Sequence, residues 1–384
     1  MDEPSREIKK PSLLDAIIPV ISLISMLAGT VYLFGLDSFG PNQVALILAA
    51  AIAAVIGIKN GHTWREIEKG MIETISMSLQ AILILLMVGA LIGAWILSGT
   101  VPSMIYYGVQ LMSPDYFYLS ACLVCALLGF SIGSSWTVAG TLGIGLMGIA
   151  AALDLSLPMS AGAIISGAYF GDKLSPLSET TNLAAAVTSN DLFDHIQHML
   201  WTTVPAILIT LLIFFVLGLG NNSGVVIEDI IKLHNSMDQA FHISPLMLIP
   251  LFVLLTLAIK KQPALSTLIS GTVLGCIFAA IFQWDAAVAL ASDPNLHPLA
   301  AIFKGLFSAM FLGYTSVSGN ESLDSLLSKG GMSSMLTTIG LVVNAMAFGG
   351  AMARTGLLSR LVEAALSGVL SLIHISEPTR QQGI

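Results

Sequence analysis

The stretch GDKLSPLSETTNLA, Gly171–Ala184, places charged, hydroxyl and amide side chains inside an otherwise apolar part of the chain. Gly171 opens the stretch and Pro176 lies within it. Glycine often ends helices, and proline lacks the N–H that a continuing helix needs. The pattern predicts two half-helices, Leu157–Phe170 and Glu179–Thr188, separated by a polar break. A solvated loop between two helices is the alternative.

The composition indicates a membrane protein. Hydrophobic residues make up 55% of the chain, charged residues 10%, and the mean hydropathy is +0.87. Soluble proteins average about 45–50% apolar and about 25% charged residues. A helix of about 20 apolar residues crosses the hydrocarbon core of a bilayer. Apolar segments of about this length, or somewhat shorter, are Leu13–Phe34, Val44–Ile58, Ile75–Leu97, Trp201–Leu219, Leu246–Ile259, Ala264–Phe282 and Ser333–Ala353. We expect an all-α polytopic protein in a lipid bilayer.

The distribution of lysine and arginine predicts the orientation. Basic residues lie in segment 1–12 and again in segment 59–74, whereas the loop Leu36–Gln43 between them has none. Cytoplasmic loops carry an excess of basic residues. The N-terminus and segment 59–74 are therefore predicted to be cytoplasmic, and Leu36–Gln43 external.

The middle of the chain allows two topologies. Tyr118–Ile132 and Trp136–Leu153 either both cross the membrane or form a re-entrant hairpin, which we favour. The tip of that hairpin would be IGSSWT, Ile132–Thr137, in which Gly133 breaks the helix. Non-helical backbone at membrane depth occurs only where protein or a water-filled cavity surrounds it.

Two pairs of short segments suggest an internal repeat. GAWILSG (Gly93–Gly99) and GAMARTG (Gly350–Gly356) share one spacing, and IEKGM (Ile67–Met71) resembles IFKGL (Ile302–Leu306). The two copies occur in the same order, and the charges give them opposite orientations. Inverted repeats with discontinuous helices are typical of secondary transporters.

This repeat predicts the organisation of the chain. The predicted parts are a cytoplasmic N-terminus (1–12), a first repeat (13–220), a connecting segment (221–244), a partial second repeat (245–369) and an atypical tail (370–384). The second copy stops at about Leu366, and the polar end HISEPTRQQGI resembles nothing in the first copy. We expect the second repeat to be truncated at its C-terminal end. An ordinary cytoplasmic tail is the alternative.

The polar break offers oxygen ligands. Asp172 supplies a carboxylate, and hydroxyl or amide oxygens follow at Ser175, Ser178, Thr180, Thr181 and Asn182. Such hard ligands suit an alkali cation or a proton rather than a soft transition metal. Ser178 is suited to cap the second half-helix, with Glu179 in its first turn. Because an ionisable group in a membrane span is costly, it is by default a functional candidate.

Several of these stretches together resemble the NhaC-type sodium/proton antiporter family. They are GDKLSPLSETTNLA, SGTVPSMIYYG (Ser98–Gly108), SWTVAGTLGIGLMGIA (Ser135–Ala150) and GNESLDSLLSKGGMSSM (Gly319–Met335). The resemblance implies a secondary transporter of the prokaryotic inner membrane that exchanges Na⁺ for H⁺ by alternating access, without a cofactor. It leaves open whether the protein forms a homodimer. It assigns one half of the ion site to Asp172, Ser175, Ser178, Glu179, Thr180, Thr181 and Asn182, and the other half to Ser134, Ser135 and Thr137.

Other readings stay open. The family includes exchangers of malate for lactate with Na⁺ and H⁺, for which Lys173 would be the positive group within the first-repeat motifs. An intramembrane enzyme is disfavoured because Asp172 and Glu179 lie on opposite sides of a proline. Glu321 and Asp324 belong either to a solvated loop or to a second part of the site. The chain shows no motif for nucleotide or nucleic-acid binding.

Overall fold

The computed structural model describes residues 8–176, 178, 180–181, 184–185, 191–219, 235–260, 262–293, 295–316, 324 and 327–376. Over these residues the secondary structure is helical, with no strand. The helices are, in chain order, α1 (Leu13–Phe34), α2 (Phe39–Lys59), α3 (Trp64–Met77), α4 (Leu79–Leu97), α5 (Thr100–Leu111), α6 (Phe117–Ile132), α7 (Ser135–Gly140), α8 (Leu142–Ala152), α9 (Leu157–Leu174), α10 (Leu192–Leu219), α11 (Ile249–Ile259), α12 (Ala264–Phe282), α13 (Trp284–Leu290), α14 (Pro298–Leu312), α15 (Met332–Arg354) and α16 (Leu357–Ser376).

The predicted membrane character is confirmed. Within the described residues, 7 helical segments are long and apolar enough to cross a bilayer. They are Leu13–Phe34, Phe39–Lys59, Leu79–Leu97, Pro114–Ser131, Leu192–Leu219, Ala264–Phe282 and Met332–Arg354. The chain is therefore an all-α, multi-pass membrane protein.

The helix before Leu97 begins later than predicted. The apolar run Ile75–Leu97 is divided at Ser78, which is the C-cap of α3. The Ser78 hydroxyl donates to the Ile75 carbonyl at 2.7 Å, so it satisfies an acceptor that the ending helix leaves free. The spanning helix α4 consequently starts at Leu79.

The chain folds into two compact units. One consists of Met1–Ile82 with Leu336–Ile384, and the other of Leu83–Met335. The first therefore joins the two ends of the chain, whereas the second is continuous. These units have other boundaries than the predicted repeats, which describe internal symmetry and stay a prediction.

The first unit packs around small side chains. Ala16, Ala53 and Ala351 are fully buried and form a cluster with Ile67 and Leu357. Small residues let helix backbones approach closely, which is the main source of packing energy between helices in a membrane. The capping box at the start of α1 begins the helix next to this cluster, since Ser12 accepts from the N–H of Asp15 and Asp15 accepts from that of Ser12.

The second unit contains the larger core and the predicted polar break. Trp95 on α4 is completely buried, and its indole N–H donates to the carbonyl of Gly271 on α12 at 2.9 Å. Phe117 and Tyr118 at the start of α6 are also completely buried. This core supports α6, α7 and α9, which carry the candidate site.

Candidate functional site

Helices α6 and α9 pack backbone against backbone. A methyl group added at Gly167 would overlap the carbonyl oxygen of Cys122, and one added at Gly171 would overlap that of Ala126. On the opposite helix, a methyl group at Gly129 would lie 2.7 Å from a carbonyl oxygen of α9. These glycines allow a separation that any larger side chain would prevent. The close packing holds the C-terminal end of α9 against α6.

The prediction that Gly171 ends the first half-helix is wrong. Helix α9 continues to Leu174, and its C-cap is Ser175. The physical reason is that Gly171 serves the contact with α6 and keeps helical geometry. Pro176 follows the cap directly, where a residue without an N–H cannot continue the helix.

The second predicted break lies between α6 and α7. Gly133 is the C-cap of α6 with φ of 72°, a left-handed conformation that glycine adopts without strain. Ser134 is the N-cap of α7 and accepts a hydrogen bond from the N–H of Thr137 at 3.3 Å. The Thr137 hydroxyl also donates to the Ser134 oxygen at 3.0 Å. Whether α6 and the following helices form a re-entrant hairpin stays a prediction.

The tertiary structure joins the two breaks through one side-chain pair. Ser135 donates to Oδ2 of Asp172 twice, from its backbone nitrogen at 3.1 Å and from its hydroxyl at 2.7 Å. Asp172 is 9% exposed and Ser135 is 4% exposed. Both donors go to one oxygen, and within the described part of the chain Oδ1 of Asp172 accepts no hydrogen bond. The carboxylate therefore lies at the N-terminal end of α7, where helix N–H groups favour a negative charge.

The segment after α9 starts a new helical turn around Ser178. The Ser178 hydroxyl accepts from the N–H of Thr181 at 3.3 Å, which is the geometry of an N-cap. The Thr181 hydroxyl donates to the carbonyl oxygen of Lys173 at 3.0 Å, so it satisfies an acceptor at the end of α9. Residues 180–181 and 184–185 are helical. The predicted capping role of Ser178 is confirmed.

The remaining predicted site residues differ in their surroundings. Ser175 is fully buried, and Thr180 is exposed, with its hydroxyl 2.9 Å from that of Ser178. Glu179 and Asn182 lie outside the described residues. Of the predicted set, Ser134, Ser135, Thr137 and Asp172 are thus brought together around the start of α7, and Ser178, Thr180 and Thr181 around the turn after α9.

A second carboxylate–hydroxyl pair lies beyond α14. The Ser316 hydroxyl donates to Oδ1 of Asp324 at 2.7 Å, and the Ser316 N–H donates to the Ser328 hydroxyl at 2.9 Å. Ser316 is 7% exposed. Sequence reasoning did not single out Ser316 or Ser328. The signal that identifies them is a serine on each side of an acidic residue in a Gly/Ser-rich stretch. Glu321 lies outside the described residues.

Comparison with known proteins agrees with the predicted resemblance. Residues 167–375 match the model of the Na⁺/H⁺ antiporter family. The Na(+)/H(+) antiporter NhaC of Alkalihalophilus pseudofirmus is 35% identical over 342 residues, or 89% of this chain and 71% of that protein. The Malate-2H(+)/Na(+)-lactate antiporter of Bacillus subtilis is 35% identical over 360 residues, or 93% of this chain and 72% of that protein.

A third relative is named for an organic solute. The arginine/ornithine antiporter ArcD of Halobacterium salinarum is 34% identical over 355 residues, or 91% of this chain and 69% of that protein. No solved structure matches the chain. The family model and the relatives together confirm the resemblance, and the chain belongs to the Na⁺/H⁺ antiporter family.

Proposed function

We propose that this protein exchanges Na⁺ for H⁺ across the prokaryotic inner membrane by alternating access, with its N-terminus in the cytoplasm and without an organic cofactor. Membership of the Na⁺/H⁺ antiporter family supports the reaction. The absence of basic residues from Leu36–Gln43, compared with the flanking segments 1–12 and 59–74, supports the orientation.

The observation that carries this proposal is the position of Asp172. Its carboxylate is buried among hydroxyl groups at a point where α9 ends and α7 begins. Carboxylate and hydroxyl oxygens are ligands for hard cations, and a carboxylate also accepts a proton. A single buried carboxylate that binds H⁺ cannot bind Na⁺ with the same charge at the same time. This competition couples the release of one ion to the binding of the other.

The surrounding oxygens would complete the ion site. We assign Na⁺ ligation to Asp172 with neighbouring oxygens drawn from Ser134, Ser135, Thr137, Ser175, Ser178, Glu179, Thr180, Thr181 and Asn182. The Ser135–Asp172 contact links α7 to α9, so a movement of one helix relative to the other would change the access to the carboxylate. Such a movement at a discontinuous helix is the general basis of alternating access.

Replacement of Asp172 tests the proposal. Asp172→Asn keeps the size of the side chain but removes the group that exchanges H⁺ for Na⁺. In everted membrane vesicles we expect Na⁺-dependent proton movement to be abolished, while the amount of inserted protein stays unchanged. Asp194→Asn, at an exposed position in the first turn of α10, is the matched control and should retain exchange. Full activity of Asp172→Asn would reject the mechanism.

Exchange of an organic anion coupled to Na⁺ and H⁺ is the second candidate. The similarity to the Malate-2H(+)/Na(+)-lactate antiporter favours it. Its predicted positive group, Lys173, has an exposed side chain in the last turn of α9, where a cation also stabilises the helix end. If the cargo is Na⁺ alone, Lys173→Ala should leave transport working. A loss of malate-driven but not of Na⁺-driven exchange would favour the second candidate.

A further inference from the structure

The second unit contains an apolar cavity that does not include the ion-site residues. Its volume is about 330 Å³, and it lies between α4, α5, α8 and α9. Its wall includes Ile96, Ile105, Met147 and Ile164. Pockets for small molecules begin at about this size and are mostly apolar, with a few polar groups that set the orientation of the ligand.

One charged residue contributes to this wall. Among the described residues that line the cavity, Lys329 alone carries a charge, and none is acidic. The Lys329 side chain keeps contact with solvent. It therefore remains protonated at neutral pH without a buried partner. Within the described part of the chain it forms no salt bridge.

The backbone on both sides of Lys329 is held in place. Gly330 and Gly331 have φ of 91° and 85°, which other residues rarely adopt. The N–H of Gly331 donates to the carbonyl of Gly89 on α4 at 2.8 Å, and Lys329 accepts from the N–H of Tyr314 at 3.1 Å. The glycine pair thus allows this turn to lie directly on α4, next to the cavity. Lys329 is placed there by fixed backbone contacts.

We propose that this cavity binds a monocarboxylate anion with an apolar body. One lysine matches one carboxylate, and the aliphatic wall accommodates a short hydrocarbon chain. A dicarboxylate would bring a second charge into an apolar wall without a partner, which is unfavourable. A cation would meet Lys329 without any acidic residue to offset the repulsion. The inference does not depend on the exchange reaction, because it concerns residues outside the ion site.

Direct binding measurements test this proposal without transport. Detergent-purified protein in Na⁺-free buffer is titrated calorimetrically with choline isovalerate, choline malate and choline chloride. We expect saturable binding of isovalerate and much weaker binding of malate, with no heat from chloride. Lys329→Gln should weaken isovalerate binding about 10- to 100-fold, the usual contribution of a hydrogen bond to a charged group. Lys329→Arg keeps the charge and should retain most of the affinity.

Two further variants make the outcome decisive. Lys304→Gln removes an exposed lysine of the same unit that pairs with Asp293 at 3.8 Å, and it should bind isovalerate like the unaltered protein. Ala161→Phe fills the cavity and keeps Lys329, so it should abolish binding. Equal affinity in Lys329→Gln, or equal binding of malate and isovalerate, would overturn the proposal. So would a phospholipid that mass spectrometry detects on the purified protein but not on Ala161→Phe, because a lipid would then be the occupant.

Discussion

Ser135 and Asp172 lie 37 positions apart in the chain, and both the backbone nitrogen and the hydroxyl of Ser135 donate to the same Asp172 oxygen. The backbone donor is independent of the side chain, whereas the hydroxyl is not. The pair therefore allows the two contributions to be separated by mutation.

Ser135→Ala should weaken the apparent affinity for Na⁺ while leaving some exchange. The variant keeps the N–H donor but loses a hydrogen bond to a charged group, which contributes about 1.5–3 kcal/mol, and it removes one oxygen ligand. We expect the half-saturating Na⁺ concentration in everted vesicles to rise by about tenfold or more. Ser131→Ala is the matched control, because the exposed Ser131 hydroxyl only donates to its own helix at Leu127. An unchanged Na⁺ dependence in Ser135→Ala would exclude its hydroxyl from the site.

Gly171→Ala should destabilise the protein. The added methyl group would overlap the backbone of α6, and overpacking of this kind costs about 1–3 kcal/mol. We expect a lower unfolding temperature for the detergent-solubilised protein. Gly162→Ala on the same helix is the control, since its methyl group would meet Phe214 at an ordinary 3.8 Å. That control should be as stable as the unaltered protein or slightly more so, because alanine favours helix. Equal stability of both variants would contradict the close packing.

Ser178→Ala should have a smaller effect than changes at Asp172. It removes the N-cap of the helical turn that contains Thr181, a loss of about 1 kcal/mol. We expect about a fivefold rise in the half-saturating Na⁺ concentration. Ser178→Asn, which also caps helices well, should restore most of the affinity if the cap is what matters. A loss of affinity as large as that of Asp172→Asn would instead make Ser178 a primary ligand.

The predicted orientation can be measured by labelling single cysteines. Asp37→Cys and Lys69→Cys occupy exposed positions, the first in the predicted external loop and the second in the predicted cytoplasmic segment. In a background without Cys122, Cys125 and Cys276, an impermeant maleimide should label position 37 in intact cells and position 69 only in everted vesicles. Labelling of both positions from the same side would end the inverted-repeat interpretation.

Properties that depend on neighbouring residues in the chain could be predicted without a structure. Hydropathy predicted the bounds of α1 and α12 without error, and those of α15 to within one residue at each end. The N-cap of Ser178 and the helix end at Gly133 also follow from local chemistry, because a cap hydrogen bond spans only a few residues. The choice of Asp172 as the central carboxylate rested on its isolation in an apolar segment, which is likewise visible in the chain.

Only the tertiary structure decided which groups meet. It brought Ser135 to Asp172, it placed Gly171 in the contact with α6 instead of at a helix end, and it set Lys329 beside an apolar cavity. In each case the partner is distant in the chain, so no local pattern specifies it. Close approach of two helices depends on the side chains of both, and the position of a helix end depends on what packs against it. The amino-acid sequence alone thus determined the membrane-spanning helices and the polar breaks, whereas helix packing determined the geometry of the candidate site.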